Sequence, residues 1–196
     1  MAGRLALRAG EALRSGWTPS SRRLPAMSIP ATSTLIRTSS LELRSIRFEE
    51  VAAILDLIRR AIERGCSQHY DPGQRNAVFL TYARGLFAEA VGPFEGIVAV
   101  REDALVGFAQ FDPITGRLRA VFVDGDAQQS GVGSRLLAEI ERRLRLRGGK
   151  RLYGAMSLNA VQFYARAGFR SLSGPECLAS AGVSVPVVRM EKLLRS

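Results

Sequence analysis

The chain has 196 residues, 46% of them hydrophobic and 23% charged, with a formal net charge of +10. That is enough for one well-filled core plus a tail, with a composition ordinary for a globular protein. No apolar run approaches the about 20 residues that cross a bilayer, two cysteines are too few for a disulfide framework, and a lone histidine without a Cys or His cluster argues against a zinc site.

Residues 1–40 carry Arg4, Arg8, Arg14, Arg22, Arg23 and Arg37 against only Glu11, so half of the net charge lies there. They are rich in Ser, Thr and Pro and read as a basic, disordered tail: either a transit-type targeting segment or an over-extended start, with Met27 as the true first residue. The first reading places the protein in an organelle; the second leaves it cytoplasmic. Residues 41–196 form the folded domain. A nucleic-acid partner is suggested by charge alone, and no recognition motif or aromatic-basic interleave supports one. No membrane partner is expected.

Alternation over 41–47 predicts a first strand. Val51, Ile54, Leu55, Ile58 and Ile62 mark one face of a helix from Phe48 to Arg64, with Gly65 as its stop. Residues 68–73 read as a loop, and a second helix is expected from Arg75 to Ala90. The runs 96–101 and 105–111, joined by Glu102-Asp103-Ala104, predict a hairpin. A turn at 112–116 leads to a strand at 118–123. After it come Gln128-Gln129-Ser130-Gly131-Val132-Gly133, and then a helix marked by Leu136, Leu137, Ile140 and Leu144 that ends near Arg147. A strand at 151–156, a short helix from Asn159 to Arg166 and a last strand from Val185 to Leu193 complete the order.

A strand that turns through glycines into a helix N-terminus offers unpaired backbone N–H groups at the positive end of a helix dipole, a seat for phosphate. The loop lacks the Gly-Lys-Ser/Thr ending of a P-loop and the Gly-x-Gly-x-x-Gly of a dinucleotide turn. The element order, antiparallel in its first half, does not match a doubly wound fold. A second segment, Asn159-Ala160-Val161-Gln162-Phe163-Tyr164-Ala165-Arg166-Ala167-Gly168-Phe169, follows one helix and one strand later.

Together these two segments resemble the GNAT superfamily of N-acetyltransferases, which pairs a Gln/Arg-x-x-Gly-x-Gly/Ala loop with a downstream Asn…Phe-Tyr…Gly-Phe segment. The resemblance covers roughly residues 41–193. It implies an α/β (α+β) fold: a mixed, mostly antiparallel twisted sheet with helices on both faces, and central parallel strands, here 118–123 and 151–157, that splay apart.

The resemblance further implies acetyl-CoA as cosubstrate and no metal. The pyrophosphate would lie on the backbone from Gln128 and Gln129 through Ser130, Gly131, Val132 and Gly133 to Ser134, with Gly131 and Gly133 allowing close approach. Backbone groups of Phe122 and Val123 would pair with the pantetheine and polarise the thioester. Asn159 would contact the CoA arm, unless it serves only as a helix N-cap. Tyr164 would be the general acid that protonates the departing thiolate, unless it is only a core aromatic. The turn Asp124-Gly125-Asp126-Ala127 lacks the proline often found there. Arg135 is a further candidate for a CoA phosphate, and Arg142, Arg143, Arg145 and Arg147 read as a solvated face.

The implied activity is acetyl transfer to a primary amine, on a small molecule or a peptide, by direct attack in a ternary complex. The alternative is a non-catalytic CoA- or acyl-CoA-binding module on the same fold. A homodimer is compatible with either. Glu95, Asp112, His69 and a water chain are the candidates for general base, and residues 60–95 and 172–186 are where specificity would reside.

Overall fold

In a computed structural model the described residues are 40–88 and 94–195. The expected tail therefore lies outside them, as does the end of the second helix. The chain opens with β1 (Glu42–Ser45) and a single 3₁₀ turn at Phe48–Glu50. The first helix, α1 (Val51–Cys66), buries Val51, Ile54, Leu57, Ile58, Ala61 and Ile62, a stripe at three- and four-residue spacing. Gly65 does not stop it: the helix runs on to Cys66.

The second helix, α2 (Pro72–Ala88), starts three residues earlier than the sequence pattern suggests. Asp71 and Gln74 explain the start. The Gln74 backbone N–H donates to Asp71 Oδ1 at 2.8 Å, and the Asp71 N–H donates to Gln74 Oε1 at 3.2 Å. This is a reciprocal cap, with Pro72 at the first helical position, where its missing N–H costs nothing.

The hairpin forms as expected from β2 (Glu95–Arg101) and β3 (Ala104–Phe111). Its two turn residues, Glu102 and Asp103, both have positive φ, 49° and 63°, the primed geometry that matches strand twist. Then follow β4 (Leu118–Val123), α3 (Val132–Leu146), β5 (Arg151–Ser157) and, after a 3₁₀ turn at Leu158–Ala160, α4 (Val161–Arg166). The stretch after α4 is more ordered than its composition suggests. It holds β6 (Arg170–Ser171) and β7 (Glu176–Ser180), and β7 forms a hairpin with the last strand, β8 (Val183–Leu193).

The strands build two sheets, not one. β1-β2-β3-β4 is antiparallel throughout, and in the second sheet β8 pairs antiparallel with β5, β6 and β7. Among the described residues, β4 and β5 meet through one parallel bridge, Arg117 to Tyr153, where the Tyr153 N–H donates to Gly116 O at 3.1 Å. Gly116 permits this contact. Its φ is +75°, and a Cβ would stand 2.1 Å from the Arg151 carbonyl oxygen.

Helices cover both faces of the first sheet. Ile97, Ala99, Ala109 and Phe111 pack with Leu136, Leu137, Ile140 and Leu144 of α3. Val98, Phe108 and Ala120 pack with Ile54, Leu57 and Ile58 of α1 on the opposite face. The period-2 alternation of the strands sorts their side chains between these two cores. No described helix is long and apolar enough to cross a membrane.

Candidate active site

Past the Gly116 bridge, the ends of β4 and β5 border a cleft of about 620 Å³. α1 closes one side, and the turn into α3 closes another. The 3₁₀ turn Gly125–Ala127 takes the place of the absent proline. Asp124 caps it, accepting from the Asp126 N–H at 3.3 Å, and its carboxylate also receives Arg60 Nε at 2.9 Å and Nη2 at 2.7 Å. Arg64 pairs with Asp126 next to it. Two arginines one helical turn apart on α1 thus clamp the turn that launches the glycine loop.

In that loop Gln129 has φ 62° and Gly131 φ 81°, and Gly131 is the N-cap of α3. No described residue accepts from the backbone N–H groups of Gln129 through Ser134. Six consecutive amides at a helix N-terminus are what an anion needs. A Cβ on Gly131 meets nothing within 4 Å, whereas one on Gly133 would lie 3.1 Å from Phe163 Cζ. Gly131 is therefore needed for its backbone conformation and Gly133 for the packing of α3 against α4.

Of the residues expected to hold the cosubstrate, Phe122, Val123, Gln128 and Gln129 line the cleft. So do Gly131, Val132, Gly133, Ser134 and Asn159. Ser130 is the exception. Its hydroxyl turns back to donate to Ala127 O at 2.6 Å and accepts from Arg101 Nη2 at 3.3 Å, so it stabilises the turn and does not line the cleft.

Sequence reasoning missed the contribution of α1. Cys66, which reads as an ordinary small hydrophobe, lines the cleft, and its thiol donates to Asn159 Oδ1 at 3.5 Å. Burial pushes the thiol pKa up to about 11, against the pull of the nearby Arg75 charge. Gly65 faces the same place: a Cβ there would lie 3.6 Å from Asn159 Nδ2 and 3.7 Å from Gln128 Nε2. A glycine retained inside a helix was the available signal. Arg166 and Phe163 of α4 complete the wall.

Beyond the cleft, and sharing Cys66, Val121, Phe122, Ser157 and Ala160 with it, is a slot of about 70 Å³. Three tyrosines line it. The Tyr70 hydroxyl donates to Pro186 O at 2.7 Å and accepts from the Leu158 N–H at 2.8 Å. The Tyr82 hydroxyl donates to Arg119 O at 2.8 Å, and its ring stands edge-on to Phe122. The third is Tyr164, 5% exposed, its ring between Phe163 and Phe169 at centroid distances of 5.0 and 5.2 Å. Its hydroxyl has no hydrogen-bond partner among the described residues. Burial, with a smaller push from Tyr82, raises its pKa well above the ordinary phenol value, so it stays a neutral O–H donor.

The carboxylates and histidine considered as bases lie elsewhere. Glu95 pairs with Arg143 and Arg147 at the far end of α3, which also accounts for part of that helix's arginine face. Asp112 accepts from the Ile114 and Thr115 N–H groups and the Thr115 hydroxyl, bonds that hold its carboxyl below the usual range despite burial. His69 is exposed and lines neither cavity. Arg135 does not line the cleft either. No group of three or more metal-ligating side chains occurs among the described residues.

This architecture is that of solved N-acetyltransferases. A GCN5-related N-acetyltransferase from Rhodopseudomonas palustris is 24% identical, with a TM-score of 0.72 over 80% of this chain and 97% of its own. The PaiA N-acetyltransferase of Thermoplasma acidophilum, solved with coenzyme A, is 17% identical, with a TM-score of 0.62 over 79% of this chain and 99% of its own. The ribosomal-protein-S18-alanine N-acetyltransferase of Escherichia coli is 18% identical, with a TM-score of 0.58 over 80% and 96%. At these identities the likeness is one of fold. No curated protein sequence matches the chain. The family assignment comes from residues 71–194, which match the acetyltransferase (GNAT) domain family. The chain belongs to that family, and is an acetyltransferase by it.

Proposed function

We propose that the protein moves the acetyl group of acetyl-CoA to a primary amine by direct attack within a ternary complex. The observation that carries this reading is a run of six amides, Gln129 to Ser134, without an acceptor among the described residues, at the mouth of a cleft that adjoins a slot lined by Tyr164, whose hydroxyl has no partner among them. The donor supplies an activated acetyl group. The amide run suits its pyrophosphate, the cleft volume admits its arm, and Asn159 lies along the route. The Phe122 and Val123 backbone borders the β4–β5 gap, where a thioester carbonyl can be polarised.

Attack by the amine nitrogen forms the C–N bond. As the C–S bond breaks, the sulfur takes the Tyr164 proton, the amine's surplus proton passes to water, and water returns a proton to the Tyr164 phenolate. Cys66 does not serve as a relay nucleophile. Its thiol stays protonated near pH 7, and no described base is bonded to it.

Calorimetry with acetyl-CoA followed by thiol release across an amine panel tests the proposal. The expected result is cofactor binding and amine-dependent thiol release. Absence of binding at millimolar cofactor overturns it. Stabilisation by CoA with no amine acetylated supports a non-catalytic CoA-binding module instead.

A further inference from the structure

Among the described residues the cleft has one charged side chain in its lining, that of Arg166 in the last turn of α4. Other arginines around the glycine loop and along α3 are taken up by carboxylates: Arg60 and Arg64 hold Asp124 and Asp126, and Arg142 and Arg143 hold Glu139. Arg166 is exposed, and among the described residues it has neither an ion-pair partner nor a hydrogen-bond acceptor. Its place follows from the helix. Phe163 is the residue of α4 that a Cβ on Gly133 would meet, and Arg166 stands three positions further on, so the two side chains share a face. That face looks onto the first turn of α3, where the Gln129 to Ser134 amides lie. Tyr164, two positions before Arg166, takes a different face and lines the slot.

Resting on the acetyl-CoA reading, we infer that Arg166 reads the third phosphate of the cosubstrate, the one on its ribose. The loop amides suit the pyrophosphate, and the thioester end runs inwards to Tyr164. The nucleoside end is then directed outwards, along the exposed rim of the cleft, and α4 presents Arg166 there. A phosphate monoester carries a charge of about −2 and three acceptor oxygens. A guanidinium meets it with a planar fork of donors, a charge-assisted contact that no amide of the loop duplicates. The contact makes the cleft prefer intact coenzyme A over the form that lacks the ribose phosphate, and it fixes the register of the pyrophosphate on the loop from outside. A cation in the last turn of α4 also suits the helix dipole, a role that carries no preference between the two ligands.

The test is calorimetry on the full chain with coenzyme A and with 3′-dephospho-coenzyme A, at low and at high salt. The expected result is about fivefold tighter binding of coenzyme A, a gap that narrows as salt screens the exposed pair. Arg166→Gln should bring the ratio of the two Kd values close to one, while Arg166→Lys keeps part of it. Equal binding of the two ligands by the unaltered chain overturns the inference. So does a ratio that survives Arg166→Gln, including the case in which both ligands weaken in parallel because the helix has lost its cation. Those results leave the acetyltransferase reading standing. Binding of neither ligand at millimolar concentration overturns both.

Discussion

Tyr164 and Gly133 show how much a single atom decides in this site. Three tyrosine hydroxyls line the slot, two are engaged by backbone partners, and only that of Tyr164 is without one among the described residues. Tyr164→Phe removes that oxygen from a position with no bond to lose. The expected outcome is unchanged CoA affinity by calorimetry and a fall in kcat of about 10²-fold. An unchanged kcat would show that another group protonates the thiolate. At Gly133 one added methyl meets the Phe163 ring, so Gly133→Ala should push α3 and α4 apart at the cleft mouth. CoA affinity is expected to fall about tenfold, or ~1.4 kcal/mol, in the same titration. The loop's backbone conformation was legible in the sequence because glycine spacing reports it directly. The partners of Tyr70 were not legible. They are the Leu158 N–H and the Pro186 carbonyl, backbone groups that every residue but proline, or every residue, supplies.

At the level of elements, α1 positions the loop that the sequence pattern singled out. Asp124 both caps the turn and receives Arg60, so Asp124→Ala loses two roles at once. It should lower stability by about 1 kcal/mol in urea unfolding, and CoA affinity with it. On α3, Arg142 and Arg143 hold the Glu139 carboxyl down at about 2 from an ordinary value near 4.5. A depressed carboxyl stabilises the fold above its unfolded-state pKa and loses that contribution as pH falls towards the folded value. Stability should therefore drop between about pH 4.5 and pH 2, and Glu139→Gln should flatten that limb of the urea midpoint against pH. Element existence was readable wherever periodicity was strong, as in α1 and α3. Gly65 misled because glycine usually ends a helix, and here packing near Asn159 and Gln128 overrides that preference. β7 was hidden because Glu176-Cys177-Leu178-Ala179-Ser180 has little hydrophobic alternation, and its pairing with β8 makes it a strand.

Across the described residues, two sheets are joined edge to edge at a single bridge, and the cleft opens where that joint ends. Gly116 is the critical point of that joint. Gly116→Ala puts a methyl onto the Arg151 carbonyl, at a backbone conformation L-residues avoid. It should cost about 3 kcal/mol in thermal or urea unfolding, and a cost below 1 kcal/mol would show that the two sheets can shift freely at their joint. The Tyr70 hydroxyl carries a different consequence, one of timing. It ties together positions 88 and 116 residues away along the chain, one of them on β8, which follows every other described element. Contacts that span so much chain are among the last to be rewarded during folding. On a ribosome the glycine loop emerges long before β8 does. A nascent chain can thus display the motif that marks the family while the slot beside Tyr164 does not yet exist.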